Sequence, residues 1–156
     1  DRAAFFCKGA IEIVKKFGWA PDVIICEGFM TGLVPLFLKT AYKTEPLFAN
    51  SELVYGLFDT PFENIPGERF FQKAAINNLK ESDLEAFRNP DGTASIHRGA
   101  TAFSDGVIIG SESFDASVDY IANATDKQIQ NWDTEEVFLP NTLVTLHNLL
   151  EVNVEQ

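Results

Sequence analysis

The sequence predicts an α/β fold, a Rossmann-like partial domain with parallel strands and flanking helices. Stretches with one apolar helical face alternate along the chain with short runs that are apolar at every position. Such continuous runs are typical of parallel strands, because helices bury both faces of the sheet. With 156 residues, of which 46% are hydrophobic and 22% charged, the chain is also large enough for one packed core.

The first half of the chain contains two helix–strand pairs. Apolar residues recur at three- and four-residue steps from Ala3 to Phe17, and Gly18 and Pro21 end that helix. The pattern predicts, in order, a helix over 2–17, a strand over 23–26, a nearly wholly apolar helix over 31–42 and a strand over 53–58.

The second half adds several helices and one more strand. The capping-box spacing of Ser82 and Glu85 opens a helix, residues 89–92 form a turn, and Pro140 opens a last helix. The remaining elements are helices near 67–79, 83–88, 93–103 and 113–123, and a strand over 106–110. Three strands make a thin sheet for this length, and the sequence does not open with Met. We therefore expect the later half of a larger Rossmann-like domain.

The negative charge is concentrated in the last third of the chain. The formal charge is −11 overall, and residues 101–156 carry ten acidic groups against Lys127 alone. Residues 1–50, by contrast, carry six basic and five acidic groups. A protein that binds nucleic acid or an anionic membrane needs a basic face, so we expect neither as a partner.

The cysteines and histidines predict no metal or cofactor. Cys7 and Cys26 lie in apolar patterns, which indicates two buried thiols in a reducing, cytoplasmic compartment, although a bridge between them is also compatible with the spacing. His97 and His147 are fifty residues apart without ligand spacing, so we interpret both as structural. No apolar run approaches the length of a membrane span.

Three loops follow the carboxyl ends of the predicted strands, where ligands bind in open α/β sheets. They cover residues 27–31, 59–64 and 111–114. The first contains Gly28 and Gly32, where the backbone must turn sharply from strand to helix, and that helix N-terminus could hold an anion. The alternative interpretation is a tight turn that binds nothing.

Three segments carry a resemblance to a known family. Residues 19–24, Trp-Ala-Pro-Asp-Val-Ile, and residues 31–39, Thr-Gly-Leu-Val-Pro-Leu-Phe-Leu-Lys, closely resemble the bacterial glycogen (starch) synthases. Residues 103–111, Phe-Ser-Asp-Gly-Val-Ile-Ile-Gly-Ser, resemble a later strand of the same domain. The resemblance covers roughly residues 2–120. It implies the N-terminal half of a GT-B glycosyltransferase, which adds glucose from ADP-glucose to an α-1,4-glucan.

The sequence departs from the family where the family keeps its polar site. The family segment H-x-H-D-W-H aligns with residues 25–30, so its histidines and aspartate are absent and Phe29 alone keeps an aromatic side chain. Met30 replaces the histidine that contacts the transferred sugar, and Asp59 aligns with the asparagine of a later I-H-N whose histidine is also missing. The family's K-x-G-G-L segment and second nucleotide-binding domain are not in this sequence. The resemblance therefore implies no catalysis by this chain alone.

The loops that follow the first two strands hold the candidate glucan-binding residues. A carboxylate could accept hydrogen bonds from sugar hydroxyls, and Glu27 is the leading candidate, with stabilisation of the following helix N-terminus as its alternative role. Arg98 aligns with a lysine of the family and is a candidate phosphate or sugar contact, or else a solvated surface residue. Trp132 is a further candidate for stacking on a sugar ring. The glucan-binding set is Glu27, Phe29, Met30, Asp59 and Glu63.

The leading hypothesis is a degenerate synthase-like protein of glucan metabolism, which binds glucan or acts as an accessory domain without transferase activity. The alternatives are part of an active glucosyltransferase, and a structural module whose acidic third docks a basic partner. The expected partners are α-glucan, ADP-glucose only if another domain completes the site, and a second copy of the chain at an exposed sheet edge. We divide the chain into residues 1–124, the Rossmann-like part, and 125–156, an acidic linker with a C-terminal helix packed on it.

Overall fold

The computed structural model describes residues 2–59, 69–114 and 116–154. Ten helices and strands make up this part, with short 3-10 turns at Phe29–Thr31, Pro46–Phe48 and Glu81–Phe87. In chain order they are α1 (Arg2–Phe17), β1 (Val23–Glu27), α2 (Val34–Lys39), β2 (Glu52–Leu57), α3 (Phe70–Ala74), α4 (Ile96–Phe103), β3 (Gly106–Ile109), α5 (Ala116–Ala124), β4 (Gln128–Gln130) and α6 (Glu135–Val154).

The described strands form one parallel sheet in the order β1-β2-β3-β4. This confirms the predicted α/β class with parallel strands and flanking helices. Because successive strands are neighbours and the connections between parallel strands are right-handed, α2, α4 and α5 lie on the same face of the sheet. The core lies between these helices and the side chains of that face, with Tyr55, Leu57 and Val107 fully buried.

The prediction of three strands was wrong, because β4 adds a fourth. Its residues, Gln128, Ile129 and Gln130, are mostly polar, so the apolar-run criterion did not detect them. The backbone N–H of Val107 donates to the carbonyl of Lys127 (2.8 Å), and Ile129 packs over Gly106. An edge strand has a neighbouring strand on one side only, so fewer of its side chains are buried than in a central strand. This explains why β4 is short and polar.

Several predicted helices are shorter in the structure. The helix predicted over 31–42 is a 3-10 turn followed by α2, which ends where the Thr40 hydroxyl bonds to the Leu36 carbonyl. Of the stretch predicted near 67–79, α3 covers only Phe70–Ala74. The helix predicted over 93–103 begins at Ile96, after Ser95 caps it by accepting a hydrogen bond from the Arg98 N–H (3.3 Å).

The predicted capping pair Ser82 and Glu85 was wrong by two residues. The 3-10 segment begins at Glu81, and the Asp83 carboxylate accepts a hydrogen bond from the Lys80 N–H (2.8 Å). Asp83 therefore does what the spacing assigned to Glu85, since an aspartate three residues after the first flanking residue reaches back equally well.

The prediction that Pro140 opens the last helix was also wrong, since α6 begins at Glu135 and contains Pro140. The Thr134 carbonyl accepts hydrogen bonds from the N–H groups of Val137 (3.1 Å) and Phe138 (2.9 Å), which starts the helix earlier. The Gln130 side chain also donates to the Phe138 carbonyl (3.1 Å). These hydrogen bonds stabilise a helical turn before Pro140, which the position of the proline alone does not predict.

Within the described residues, no helix combines the length and apolar character needed to cross a bilayer. The division of the chain at residue 124 stays a prediction.

Gly99 allows α4 to pack closely against the core. A Cβ at Gly99 would lie 2.1 Å from the ring of Phe87, which is fully buried and stacked on Phe103. Overpacking costs about 1–3 kcal/mol, more than the roughly 1 kcal/mol by which alanine favours a helix. We expect Gly99→Ala to lower the free energy of unfolding by about 1 kcal/mol in urea titrations.

Gly9 provides the matched control, because it lies inside α1 and nothing within 4 Å would meet its added Cβ. Gly9→Ala should raise the free energy of unfolding by about 0.5–1 kcal/mol. Equal stabilisation by both substitutions would contradict the described packing of α4 on Phe87.

Candidate functional site

The carboxyl edge of the sheet carries most of the candidate residues. The parallel register pairs Glu27, the last residue of β1, with Gly56 in β2. Gly28 then turns the chain with φ of 72°, a left-handed conformation that glycine adopts without strain. The candidate loop after β1 therefore starts next to the end of β2, as expected for ligand-binding loops of parallel sheets.

Hydrogen bonds to carbonyl oxygens order the loop after β1. The Thr31 hydroxyl lies 2.7 Å from the Glu27 carbonyl and 3.2 Å from the Gly28 carbonyl. The Tyr55 hydroxyl lies 3.3 Å from the Gly28 carbonyl and 2.8 Å from Nδ1 of buried His97. If the Tyr55 hydroxyl donates its hydrogen to the Gly28 carbonyl, it accepts a hydrogen bond from Nδ1 of His97. One hydroxyl thus connects the loop after β1 with β2 and α4.

Tyr55 and Thr31 were not predicted from the sequence as residues of this site. The signal for Tyr55 was available, because a tyrosine inside a buried strand needs a partner for its hydroxyl. Its partners could not be found without the tertiary structure, since Gly28 and His97 are 27 and 42 residues away. His97 is only 3% exposed, in keeping with the structural role expected for it.

The three candidates after β1 differ in exposure. The Glu27 side chain is exposed and its stem passes over Gly56, where an added Cβ would lie 3.0 Å from its Cγ. Phe29 is half-buried and packs against the hydrophobic core, which leaves only part of its ring for a ligand. The Met30 side chain is 39% exposed, while its carbonyl accepts a hydrogen bond from the Cys7 thiol (3.0 Å).

The loop after β2 reaches the loop after β3. Asp59 is exposed, and its backbone N–H donates to the hydroxyl of Ser111 (2.8 Å). Its carboxylate thus faces solvent at the same edge of the sheet as Glu27. Glu63, the remaining predicted glucan-binding residue, lies outside the described residues.

Arg98 lies in the first turn of α4, one residue after His97 and therefore near the same edge. Its side chain is half-buried, and no carboxylate in the described ranges forms an ion pair with its guanidinium. Arg98 is thus a half-buried cation near the carboxyl edge, without an ion-pair partner in the described part of the chain.

Trp132, the candidate for stacking on a sugar ring, is half-buried and belongs to a cluster of aromatic rings. Its ring centroid is 5.0 Å from that of Phe138, and Phe138 meets Phe58 edge-on at 6.3 Å. Phe58 covers Gly56 and Gly110, at the ends of β2 and β3. These three rings, the edge aromatic cluster, fix the first turn of α6 to the carboxyl edge of the sheet.

In the part of the chain that the structure describes, no group of three or more His, Cys, Asp or Glu side chains is arranged to hold a metal ion. Cys7 and Cys26 are both buried and unbridged. Burial raises the pKa of the Cys7 thiol to about 11 and that of Cys26 to about 12. Both thiols are therefore protonated and unreactive near neutral pH.

Tyr55→Phe should lower the free energy of unfolding by about 1–3 kcal/mol, because it removes a buried hydrogen bond between the strand and α4. Urea titration measures the change. Tyr120→Phe is the control, because Tyr120 is 59% exposed and its loss of a hydroxyl should shift the value by less than about 0.5 kcal/mol. Similar effects of the two substitutions would show that the Tyr55 hydroxyl has no structural role.

The folded protein should be resistant to a thiol-specific reagent at neutral pH, and both cysteines should react once urea unfolds it. Their pKa is 9.0 when unperturbed and is raised in the folded state. Folding stability from these thiols is therefore fully present below pH 9 and is lost as the pH rises toward 11. The variant with Cys7→Ala and Cys26→Ala should lose stability less steeply over that range, and an unchanged slope would contradict the assignment.

Comparisons with known proteins agree with the geometry. The family model of the starch synthase catalytic domain matches residues 1–123. The glycogen synthase of Clostridium perfringens is 30% identical over 118 residues, which cover 73% of this chain and 23% of that protein. The glycogen synthase of Desulforudis audaxviator is 39% identical over 69 residues, which cover 44% of this chain and 14% of that protein. This chain thus spans less than a quarter of either relative.

A solved structure, the catalytic domain of starch synthase IV from Arabidopsis thaliana bound to ADP and acarbose, has a similar fold. The TM-score is 0.63 at 15% sequence identity, and the alignment covers 86% of this chain and 30% of that one. The match of the family model over residues 1–123 shows that the chain belongs to the family of the starch synthase catalytic domain.

Proposed function

We propose that this chain is a non-catalytic, glucan-binding part of a glycogen synthase-like protein of glucan metabolism, and that α-glucan is its ligand. The observation that carries the proposal is the pair of exposed carboxylates, Glu27 and Asp59, that follow β1 and β2 at one edge of the sheet. Carboxylates accept hydrogen bonds from neighbouring sugar hydroxyls, which suits the binding of a glucan.

The side chains of the loop after β1 support a role in binding and not in glucose transfer. Met30, exposed where the resemblance places a histidine, offers no strong donor and no charge. One preorganised polar contact to a transition state is worth about 10²–10³ in rate, so its loss weakens catalysis severely. Sugar binding tolerates the change better, because an exposed thioether and the half-buried ring of Phe29 still provide apolar surface for a pyranose face.

The negative charge at the carboxyl edge of the sheet favours an uncharged ligand. Glu27 and Asp59 would repel a nucleotide diphosphate, and the edge aromatic cluster attaches the acidic last third of the chain to the same edge. The solved starch synthase IV is bound to ADP, but this chain covers only 30% of it. We propose that ADP-glucose binds only when a further domain supplies the phosphate-binding groups.

Arg98 favours a second candidate function, part of an active ADP-glucose-dependent glucosyltransferase. A half-buried guanidinium without a carboxylate partner in the described ranges is suited to a phosphate or sugar oxygen. Under this alternative, Arg98→Ala would abolish transfer by the completed enzyme, whereas under the leading proposal it would leave maltooligosaccharide affinity nearly unchanged.

Calorimetric titration with maltoheptaose and with ADP-glucose tests the proposal. We expect heat from the glucan alone, and Glu27→Gln should weaken its affinity about fivefold to tenfold, because the amide oxygen of glutamine accepts a weaker hydrogen bond than a carboxylate does. Asp22→Asn is the matched control, because Asp22 is exposed and precedes β1 at the opposite edge of the sheet.

Two results would refute the leading proposal. Measurable glucose transfer from ADP-glucose by this chain would support the transferase alternative. Absence of heat with either ligand would leave an interaction module as the remaining function, and equal effects of the two substitutions would remove Glu27 from the site.

A further inference from the structure

A hydroxyl from β2 holds the Gly28 carbonyl in the loop after β1. The carbonyl oxygen lies 3.3 Å from the Tyr55 hydroxyl, 3.2 Å from the Thr31 hydroxyl and 3.4 Å from the Thr31 backbone nitrogen. Thr31 belongs to the loop itself, so its hydrogen bonds fix the internal shape of the loop. Tyr55 belongs to the sheet, so its hydrogen bond fixes the position of the loop relative to the sheet.

The Tyr55 hydroxyl has a rigid support on its other side. Nδ1 of His97 lies 2.8 Å from the hydroxyl oxygen, and His97 is buried in the first turn of α4. Ser95 caps this turn by accepting a hydrogen bond from the Arg98 N–H (3.3 Å). Because the turn is capped and the imidazole is buried, His97 is a fixed reference point for the hydroxyl.

The count of hydrogens decides the direction of both hydrogen bonds. A hydroxyl carries one hydrogen, and the Gly28 carbonyl can only accept. Two oxygens 3.3 Å apart repel each other unless a hydrogen lies between them, so the Tyr55 hydrogen points at the carbonyl. The hydroxyl oxygen then accepts a hydrogen bond from its other neighbour, Nδ1 of His97. The geometry thus places a hydrogen on Nδ1.

We propose that Tyr55 is the positioning residue of the glucan-binding loop, and that His97 keeps its hydroxyl in place by donating a hydrogen bond from Nδ1. Tyr55 is fully buried, so it does not contact the glucan itself. It fixes Gly28, which lies between the Glu27 carboxylate and the Phe29 ring. The glucan in this inference rests on the proposed function, whereas the hydrogen on Nδ1 does not.

Gly28 is the point at which the loop needs such support. Its φ of 72° lies in the left-handed region, which glycine enters and leaves at little cost. Glu27 ends β1 and its stem lies over Gly56, so it keeps its place if Gly28 rotates. Phe29 and Met30 would then swing away from Glu27. A hydrogen bond to the Gly28 carbonyl opposes that rotation and keeps the three side chains on one surface.

A thiol holds the other end of the same turn. Sγ of Cys7 lies 3.0 Å from the Met30 carbonyl, to which the thiol donates. A thiol is a weak donor and a tyrosine hydroxyl a strong one, so the hydrogen bond to Gly28 contributes more to the position of the loop. Cys7→Ala should therefore change glucan affinity less than Tyr55→Phe does.

Calorimetric titration with maltoheptaose measures the positioning effect. We expect Tyr55→Phe to weaken the affinity about fivefold to tenfold, the effect of one hydrogen bond that the binding conformation of the loop needs. The samples are compared at a temperature at which circular dichroism shows every variant to be folded. A purely structural role of Tyr55 would lower the stability and leave the affinity of the folded protein unchanged.

Ser51→Ala is the matched control. The Ser51 hydroxyl donates to the Pro21 carbonyl (2.6 Å) and so joins the segments that precede β2 and β1. It connects the same two strands as Tyr55 does, but at the opposite edge of the sheet. Ser51→Ala should therefore lower the free energy of unfolding without a change in maltoheptaose affinity.

Combination with Glu27→Gln separates positioning from an independent effect. If Tyr55 acts by placing the loop, Glu27→Gln should weaken the affinity less in the Tyr55→Phe background than alone, because Glu27 and the displaced Phe29 no longer meet the same glucan. In the Ser51→Ala background, Glu27→Gln should keep its full effect. Additive effects in both backgrounds would contradict the positioning role.

Nitrogen NMR of the unmodified protein tests the hydrogen on Nδ1 without any substitution, since protonated and unprotonated imidazole nitrogens have clearly different chemical shifts. His147 is the internal reference. Its side chain is 71% exposed, and Nε2 is the nitrogen that lies 3.1 Å from the Glu151 carboxylate. We expect His97 to show a protonated Nδ1, and the signal of that nitrogen to move in Tyr55→Phe.

The outcomes separate this inference from the proposed function. If the unmodified protein binds maltoheptaose and Tyr55→Phe binds it equally well, the positioning role is overturned and the proposed function stands. If the unmodified protein does not bind maltoheptaose, the proposed function fails and the role of Tyr55 in glucan binding fails with it. A His97 Nδ1 without a hydrogen would overturn the inference at any measured affinity, and would leave the proposed function untouched.

Discussion

The parallel register between β1 and β2 is the constraint on which the rest of the structure depends. It pairs Glu27 with Gly56 and thereby places the loop after β1 beside the end of β2. A slip of one residue would exchange the faces of the strand, so Cys26 would leave the core and Glu27 would enter it. The same register lets the Tyr55 hydroxyl lie between Gly28 and His97, so that strand pairing, the loop and α4 support one another.

On both faces of this sheet, phenylalanine rings pack closely against glycines. On one face Phe87 lies against Gly99 of α4, and on the other Phe58 covers Gly56 and Gly110. The second contact continues through Phe138 to Trp132, which attaches α6 to the carboxyl edge. The aromatic side chains thus connect the acidic end of the chain to the edge that carries the candidate site, and the glycines make room for them.

The ease of predicting each element follows from how much of its stability is local. The central strands β2 and β3 are apolar except for Glu52 and were predicted within one residue, because burial on both faces leaves a continuous signal. β4 is held by its pairing with β3, and the early turns of α6 are held by Phe138 and Gln130. Neither has a periodic pattern of its own, so both were missed or misplaced.

The candidate site shows the same division. The position of Glu27, Met30 and Asp59 at the carboxyl edge could be predicted from the sequence, because loops after parallel strands lie at one edge whatever the details of the fold. The partial burial of Phe29, the contact of Trp132 with Phe138 and the bond from Asp59 to Ser111 could not, since each depends on residues distant in the chain. Sequence patterns report the neighbours of a residue along one element, whereas these contacts join separate elements.

The sequence by itself determined the α/β class, the order of the first three strands and the helices between them, the concentration of negative charge in the last third and the resemblance to the synthases. These follow from local periodicity and composition. Only the tertiary structure decided the fourth strand, the early start of α6 and the hydrogen bonds of Tyr55. Each of these requires groups far apart in sequence to meet, and that meeting is set by register and packing, which no local pattern encodes.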